Sequence, residues 1–124
     1  MQSPKKWLYI DSKENILDKN FIIKSLHYKN EPFSAIIYPY EYKIYAYLNL
    51  CVHMPKQLNC ESNTIFDKDR HHLRCSMHGI IYDLKTGTSL SAMCEGEKLK
   101  ALRTIELNGD IYINEKHISL SAIM

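Results

Sequence analysis

The sequence, 124 residues long, predicts a single all-β domain on three observations. Nine tyrosines and many isoleucines fall in short runs, the composition of pleated, half-buried strands. Residues that favour turns break those runs at close intervals. No long amphipathic helix, internal repeat or low-complexity tract competes with this reading.

Taken in order, Phe21 to Leu26 reads as a first strand, Lys29-Asn30-Glu31-Pro32 as a turn, and Ser34 to Tyr38 as a second strand. Pro39 to Tyr42 turns the chain back into a third strand, Lys43 to Asn49, which delivers Cys51 at its end. The segment Ser12 to Asn20 is a loop or a single helical turn. Further on, Leu73 to Ser76 and Ile80 to Tyr82 read as a hairpin. Asp83 to Gly87 is a turn in which the glycine takes a positive φ. Leu102 to Leu107 and Ile111 to Asn114 flank Asn108-Gly109, a strong signal for a tight hairpin. Strands at this density suggest a β-sandwich or a partly open barrel.

Composition narrows the function classes. The chain is 45% apolar and 24% charged, ordinary for a soluble globular protein. A net charge of +2 with no lysine–arginine run gives no case for nucleic acid. Trp7-Leu8-Tyr9-Ile10 is too short an apolar stretch for a signal peptide or a membrane span, so the expected location is cytoplasmic, with no membrane partner. In that compartment four cysteines suit free thiols or metal ligation better than a disulfide framework.

Two clusters carry the chemistry: Cys51-Val52-His53 and Cys75-Ser76-Met77-His78-Gly79. Each sets one thiolate ahead of one imidazole. Four such ligands suit a zinc ion in S2N2 coordination. They equally suit a [2Fe–2S] cluster with two cysteines on one iron and two histidines on the other.

The continuation is Ile80-Ile81-Tyr82-Asp83-Leu84-Lys85-Thr86-Gly87. Both pairs in this order, followed by an aromatic, Asp and a Thr-Gly turn, resemble the Rieske iron–sulfur family, over about Phe21 to Ile113. The resemblance implies an antiparallel β-sandwich spanning residues 1–124 as one domain, with a cluster-binding subdomain inserted at about 50–93. It implies a [2Fe–2S] cofactor held by Cys51, His53, Cys75 and His78, at the tips of neighbouring loops. Replacing two thiolates by neutral imidazoles removes negative charge and raises the reduction potential. The free nitrogens of His53 and His78 are then contacts for a redox partner.

The sequence also departs from its relatives. Between His53 and Cys75 lie 21 residues, several more than in most small Rieske ferredoxins, and the extra length reads as a polar surface loop. Relatives in respiratory complexes place a disulfide cysteine at the position of Met77 and a sulfide-bonding serine at that of Ile80; both are missing here. Tyr82 matches the tyrosine that donates to a ligand sulfur in those relatives, and is the expected potential-tuning residue. A potential between ordinary Rieske ferredoxins and the respiratory proteins follows.

Cys60 and Cys94 are not needed for the cluster and read as small buried hydrophobes. His71 and His72, adjacent on a strand, point to opposite faces and read as structural or solvent-facing. Met54, Met77 and Met93 flank the ligand loops, where they shield the cluster or collar a docking site. Pro55 stiffens the first loop.

The function implied is that of a soluble one-electron carrier, not an enzyme. No glycine-rich nucleotide loop is present, so a flavin-dependent reductase must supply electrons, and a terminal oxygenase is the implied acceptor. A monomer is expected. The alternatives are a protein like the small subunit of assimilatory nitrite reductase, and a zinc-stabilised structural or interaction module using the same four residues.

Overall fold

The computed structural model describes residues 7–52, 56–60, 62–76 and 79–119. The chain divides into two compact units, Met1–Leu48 with Leu102–Met124, and Asn49–Ala101.

Among the described residues the first unit holds seven strands and one helix. Strand β1 is Trp7–Ser12, helix α1 Lys13–Lys19, β2 Ile22–Tyr28, β3 Glu31–Tyr40 and β4 Lys43–Leu48. The second unit supplies β5 (His72–Arg74) and β6 (Ile81–Asp83), after which β7 (Thr104–Leu107), β8 (Asp110–Asn114) and β9 (Ile118–Ser119) complete the first. One sheet has the order β1-β8-β7 and the other β4-β3-β2-β9, with every pairing antiparallel. Leu102 N–H donates to Ala46 O at 2.9 Å, and Thr104 Oγ1 to Ile44 O at 2.9 Å, stitching the sheets along one side. The architecture is the antiparallel all-β one that the sequence predicts.

Alternation builds the core of this unit. Ala35 and Ile37 on β3, Ile44, Ala46 and Leu48 on β4, and Ile111 and Ile113 on β8 belong to one buried apolar cluster. Removing such side chains from water is the main favourable term in folding.

Strand β3 is ten residues long, twice the stretch read from sequence. Pro32 and Pro39 look like turn residues, yet both lie in the strand. Ala35 to Ile37 pair with both neighbours, whereas Pro32 pairs only with His27 of β2 and Pro39 only with Ile44 of β4. Each proline therefore sits where the strand has one neighbour, and its missing N–H breaks no two-sided ladder.

Three hairpins turn through two residues, all with positive φ, as type I′ turns require: Lys29-Asn30, Glu41-Tyr42 and Asn108-Gly109. The middle turn contains neither Asn nor Gly. Glu41 has φ 48° and Tyr42 φ 69°, and the Tyr42 side chain is fully exposed.

Two elements differ from the sequence reading. Residues 7–12 form β1, whose Ile10 is buried at a bulge between Tyr9 and Asp11. Residues 13–19 form a two-turn helix where a loop or single turn is expected. Ser12 caps it by accepting from Asn15 N–H at 3.1 Å, Asn20 ends it in the left-handed region, and its one fully buried side chain is Ile16.

Candidate metal centre

In the second unit regular structure is sparse, and loop hydrogen bonds position the side chains. Strands β5 and β6 pair Leu73 with Tyr82 and Arg74 with Ile81. Isolated bridges, Phe66 to Leu73 and Tyr82 to Ser89, extend this ribbon on both sides. Cys51 follows β4 by three residues, and Cys75 follows β5 directly.

Both cysteines open loops closed in the same way. Cys51 N–H donates to Lys56 O at 2.8 Å, and Cys75 N–H to Ile80 O at 2.8 Å, so each thiol begins a six-residue loop tied back on itself. In the second loop Gly79 N–H donates to Cys75 O at 2.8 Å. Gly79 has φ +71°, and a methyl group there would lie 3.3 Å from Arg74 Nη2, so both conformation and space favour glycine. Ser76 N–H donates to Leu58 O at 2.8 Å, joining the chain after the first loop to the second.

Tyr82 organises the two thiols. Its side chain is fully buried, its hydroxyl donates to Cys51 Sγ at 3.1 Å, and it accepts from Val52 N–H at 3.1 Å. Burial, with the bond to Cys51 and the nearby Cys51 and Cys75 sulfurs, pushes the phenol far above its ordinary pKa against the opposing Val52 N–H. The hydroxyl is therefore a permanent hydrogen-bond donor to sulfur. Cys51 and Cys75 are 4% and 1% exposed, so both sulfurs are shielded from water.

His53 and His78 lie outside the described residues, as do Met54, Pro55, Met77 and the side chain of Met93. Among the described residues no group of three or more His, Cys, Asp or Glu side chains is gathered, a set that excludes both motif histidines. Two buried sulfur donors around one hydroxyl suit a soft or borderline metal, iron or zinc.

All four cysteines are free thiols. Cys94 is buried, with its sulfur 3.1 Å from Ser89 Oγ, as a small hydrophobe should be. Cys60 corrects that reading: it is exposed, 3.8 Å from Ser76 Oγ. His71 is exposed. His72 is partly buried and its Nδ1 lies 2.9 Å from Asp67 Oδ2.

The long segment before Cys75 is more than a polar surface loop. Leu58 and Ile65 are fully buried and Phe66 nearly so. Asp67 folds its end: burial raises its carboxyl, but the His72 ring and the His72 and His71 N–H groups outweigh this and hold it below the usual carboxylate range.

Asn49 is a residue that sequence reasoning missed. It is 1% exposed; its Oδ1 accepts from Leu58 N–H at 2.8 Å, and its Nδ2 donates to Asn59 Oδ1 at 3.0 Å. It clamps the segment after the first loop two residues ahead of Cys51. An Asn at the end of an apolar strand was the available signal. Ser91 is a second omission, its Oγ accepting from Ile81 N–H at 3.0 Å to fix β6 beside Tyr82.

Solved structures share this fold. The ferredoxin of carbazole 1,9a-dioxygenase from Nocardioides aromaticivorans IC177 is 15% identical with a TM-score of 0.66, over 89% of this chain and 98% of that one. A complex of reduced oxygenase and oxidised ferredoxin in carbazole 1,9a-dioxygenase gives 18% identity and a TM-score of 0.65, over 95% of this chain and 96% of the other. A reduced complex between oxygenase and ferredoxin of carbazole 1,9a-dioxygenase gives 19% identity and a TM-score of 0.67 over 87% of this chain. This chain spans 28% of the length of that last chain. No curated protein sequence matches. Among the described residues no helix is long and apolar enough to cross a membrane. The model of the Rieske [2Fe-2S] domain matches residues 6–106, and the chain belongs to that family, whose cofactor is a [2Fe–2S] cluster.

Proposed function

We propose that this chain is a one-electron carrier whose [2Fe–2S] cluster is held by Cys51 and Cys75 on one iron and by His53 and His78 on the other. The observation that carries this reading is the Tyr82 hydroxyl, which bonds Cys51 Sγ and lies near Cys75, at the meeting of two identically closed loops. The donor set fits the cofactor: two shielded thiols, each followed in the sequence by a histidine within three residues. Bound there, the cluster supplies reversible one-electron transfer.

The chain's own residues do three things. The loop closures, with the Ser76 N–H bond to Leu58 O between them, fix the backbone beside each cysteine and so lower the ordering entropy lost on loading. The Tyr82 hydroxyl donates to a ligand sulfur that becomes more electron-rich on reduction, which favours the reduced state and raises the potential. Burial of Cys51, Cys75 and Ile80 keeps water from the sulfurs.

A flavin-dependent reductase is the proposed donor and a terminal oxygenase the proposed acceptor, with this chain acting as a monomer. Solved complexes that pair a ferredoxin with an oxygenase support the acceptor. Anaerobic titration of the loaded protein with dithionite tests the reading. Uptake of one electron per chain, returned stoichiometrically to cytochrome c, is expected. Uptake of no electron, or one that is never passed on, would overturn it.

A further inference from the structure

Within the first unit, a concave surface forms where helix α1 meets the β3–β4 hairpin. A groove of about 280 Å³ opens there, walled by Leu17 of α1 and by Pro39, Tyr40, Tyr42 and Ile44, and its surface is mainly apolar. Leu17 is half exposed and Tyr42 fully so. A single exposed apolar residue is ordinary, but here two share one concavity. Tyr42 is also costly where it stands. Glu41 and Tyr42 are both left-handed, in a turn whose geometry favours Asn-Gly, and the Tyr42 ring buries no surface in return. Folding does not account for that residue.

Lys13 and Leu17, one helical turn apart on α1, also line a second, more open groove beside the Asn108-Gly109 turn, so the two grooves adjoin. Charge distinguishes them. The apolar groove carries Glu41 and Lys43, which balance. The second carries Glu14, Asp18 and Asp110. Lys13, the cation common to both, is taken by Glu106, with Nζ 3.2 Å from Oε1. Among the described residues none of those three carboxylates has an ion-pair partner; the ion pairs there are Lys13 with Glu106 and His72 with Asp67.

We infer that the adjoining grooves form a docking surface for a segment of a partner protein that sets a large apolar side chain beside a lysine or arginine. The apolar groove takes the side chain. Its volume of about 280 Å³ suits such an anchor, and falls below the roughly 300–1,000 Å³ of sites that enclose whole small ligands. The cation then faces Glu14, Asp18 and Asp110, and charge complementarity selects it over an acidic segment. Lys43 opens β4 at this groove and Cys51 follows the other end of that strand, so the inference goes beyond the carrier reading and does not depend on it.

The test is an amide-resolved NMR titration of the full chain as purified, with two pools of N-acetylated tetrapeptide amides. The pools are Lys-X-X-Lys and Glu-X-X-Glu, where X is Leu, Phe, Met or Trp. At about 20 mM salt the basic pool should bind at least about fivefold more tightly than the acidic one. It should shift the amides of Leu17, Asp18, Tyr42, Ile44 and Asp110 and none in β9. The preference should shrink at about 300 mM salt, and in a double variant carrying Asp18→Asn and Asp110→Asn.

Tyr42→Gly is the sharper variant, because it removes the ring and relieves the backbone together. Affinity for the basic pool should fall at least about threefold while the urea midpoint rises, a pairing that a structural role for Tyr42 does not produce. Leu17→Ser, at an exposed position, should weaken binding with the midpoint unchanged. No binding by either pool, equal binding of both, shifts outside these grooves, or unchanged affinity in Tyr42→Gly overturns the inference. Phenethylamine binding as tightly as the basic pool would make this a small-molecule site and overturn it too. Concentration-dependent shifts without peptide would do the same by making the occupant a second copy. None of these outcomes touches the carrier reading, which is decided by electron uptake and transfer.

Discussion

The two-sheet unit and the loop unit hold their shapes by different means. In the first, residues 7–48 and 102–119 form ladders of paired strands over one apolar cluster, and three two-residue turns set the register. In the second, among the described residues, two three-residue strands make up the sheet, and hydrogen bonds accepted by Asn49, Ser91, Asp67 and the loop carbonyls do what ladders do elsewhere. Burial is redundant, so a ladder tolerates local loss. A loop closed by one bond does not, but its geometry can be set residue by residue, as a ligand site requires.

The largest break expected is in the loop unit. Cys75→Ser removes a proposed soft ligand, and bound iron should fall by more than about tenfold, with loss of amide protection across Cys75 to Asp83 and none in β3. Hydrogen exchange on wild type and variant checks both halves of that statement.

In the two-sheet unit the corresponding break is Ile37→Ala. Ile37 is fully buried and pairs with Ile22 on one side and Ala46 on the other. Urea unfolding should show a loss of about 3 kcal/mol, spread over the whole unit.

Tyr82→Phe sharpens the comparison, since it deletes one bond and almost no volume. A charge-assisted hydrogen bond about 1.4 kcal/mol stronger in the reduced state corresponds to roughly 60 mV, so the potential should fall by about that much. Protein-film voltammetry measures it, and an unchanged potential would reduce Tyr82 to a core aromatic.

A smaller gain should come from the Glu41-Tyr42 turn of the two-sheet unit. Replacing Glu41-Tyr42 by Asn-Gly relieves two left-handed residues and should raise stability by about 1 kcal/mol, read as a higher urea midpoint.

The smallest effect is a pH dependence of the loop unit. The Asp67 carboxyl sits low because bonds from the His72 ring and the His72 and His71 N–H groups outweigh its burial. For Asp83, the Thr86 and Lys85 N–H groups do the same. A carboxylate depressed on folding binds fewer protons folded than unfolded. Its contribution is therefore present above the ordinary range near pH 4 and fades as the pH falls through the lower folded value. The gap in stability between wild type and Asp67→Asn should shrink as the pH falls from about 5 to about 2, and a gap that widens would contradict this assignment.

The same contrast explains what the sequence could tell. Hairpins such as Asn108-Gly109 and alternating runs such as Lys43 to Leu48 were legible because ladder and turn chemistry are local. Strand β3 was read short because its prolines are tolerated only through a pairing pattern that tertiary structure decides. Helix α1 and strand β1 were missed for a related reason: one buried side chain apiece, Ile16 and Ile10, ties each to a core built mostly from distant strands. In the loop unit the motif announced Cys51, Cys75 and Tyr82 as chemistry. The clamps at Asn49 and Ser91 have no periodic signature, because each answers to partners nine or ten residues along the chain, and the buried Leu58, Ile65 and Phe66 follow neither an alternating nor a helical pattern.

The central claim is that the two Cys/His pairs hold a [2Fe–2S] cluster. Iron, acid-labile sulfide and zinc analysis of anaerobically purified protein, with EPR of the dithionite-reduced sample, tests it most directly. The account predicts two irons and two sulfides per chain and a rhombic signal with the low average g of histidine ligation, lost in Cys51→Ser. One zinc per chain, no sulfide and no signal after attempted cluster reconstitution would contradict it.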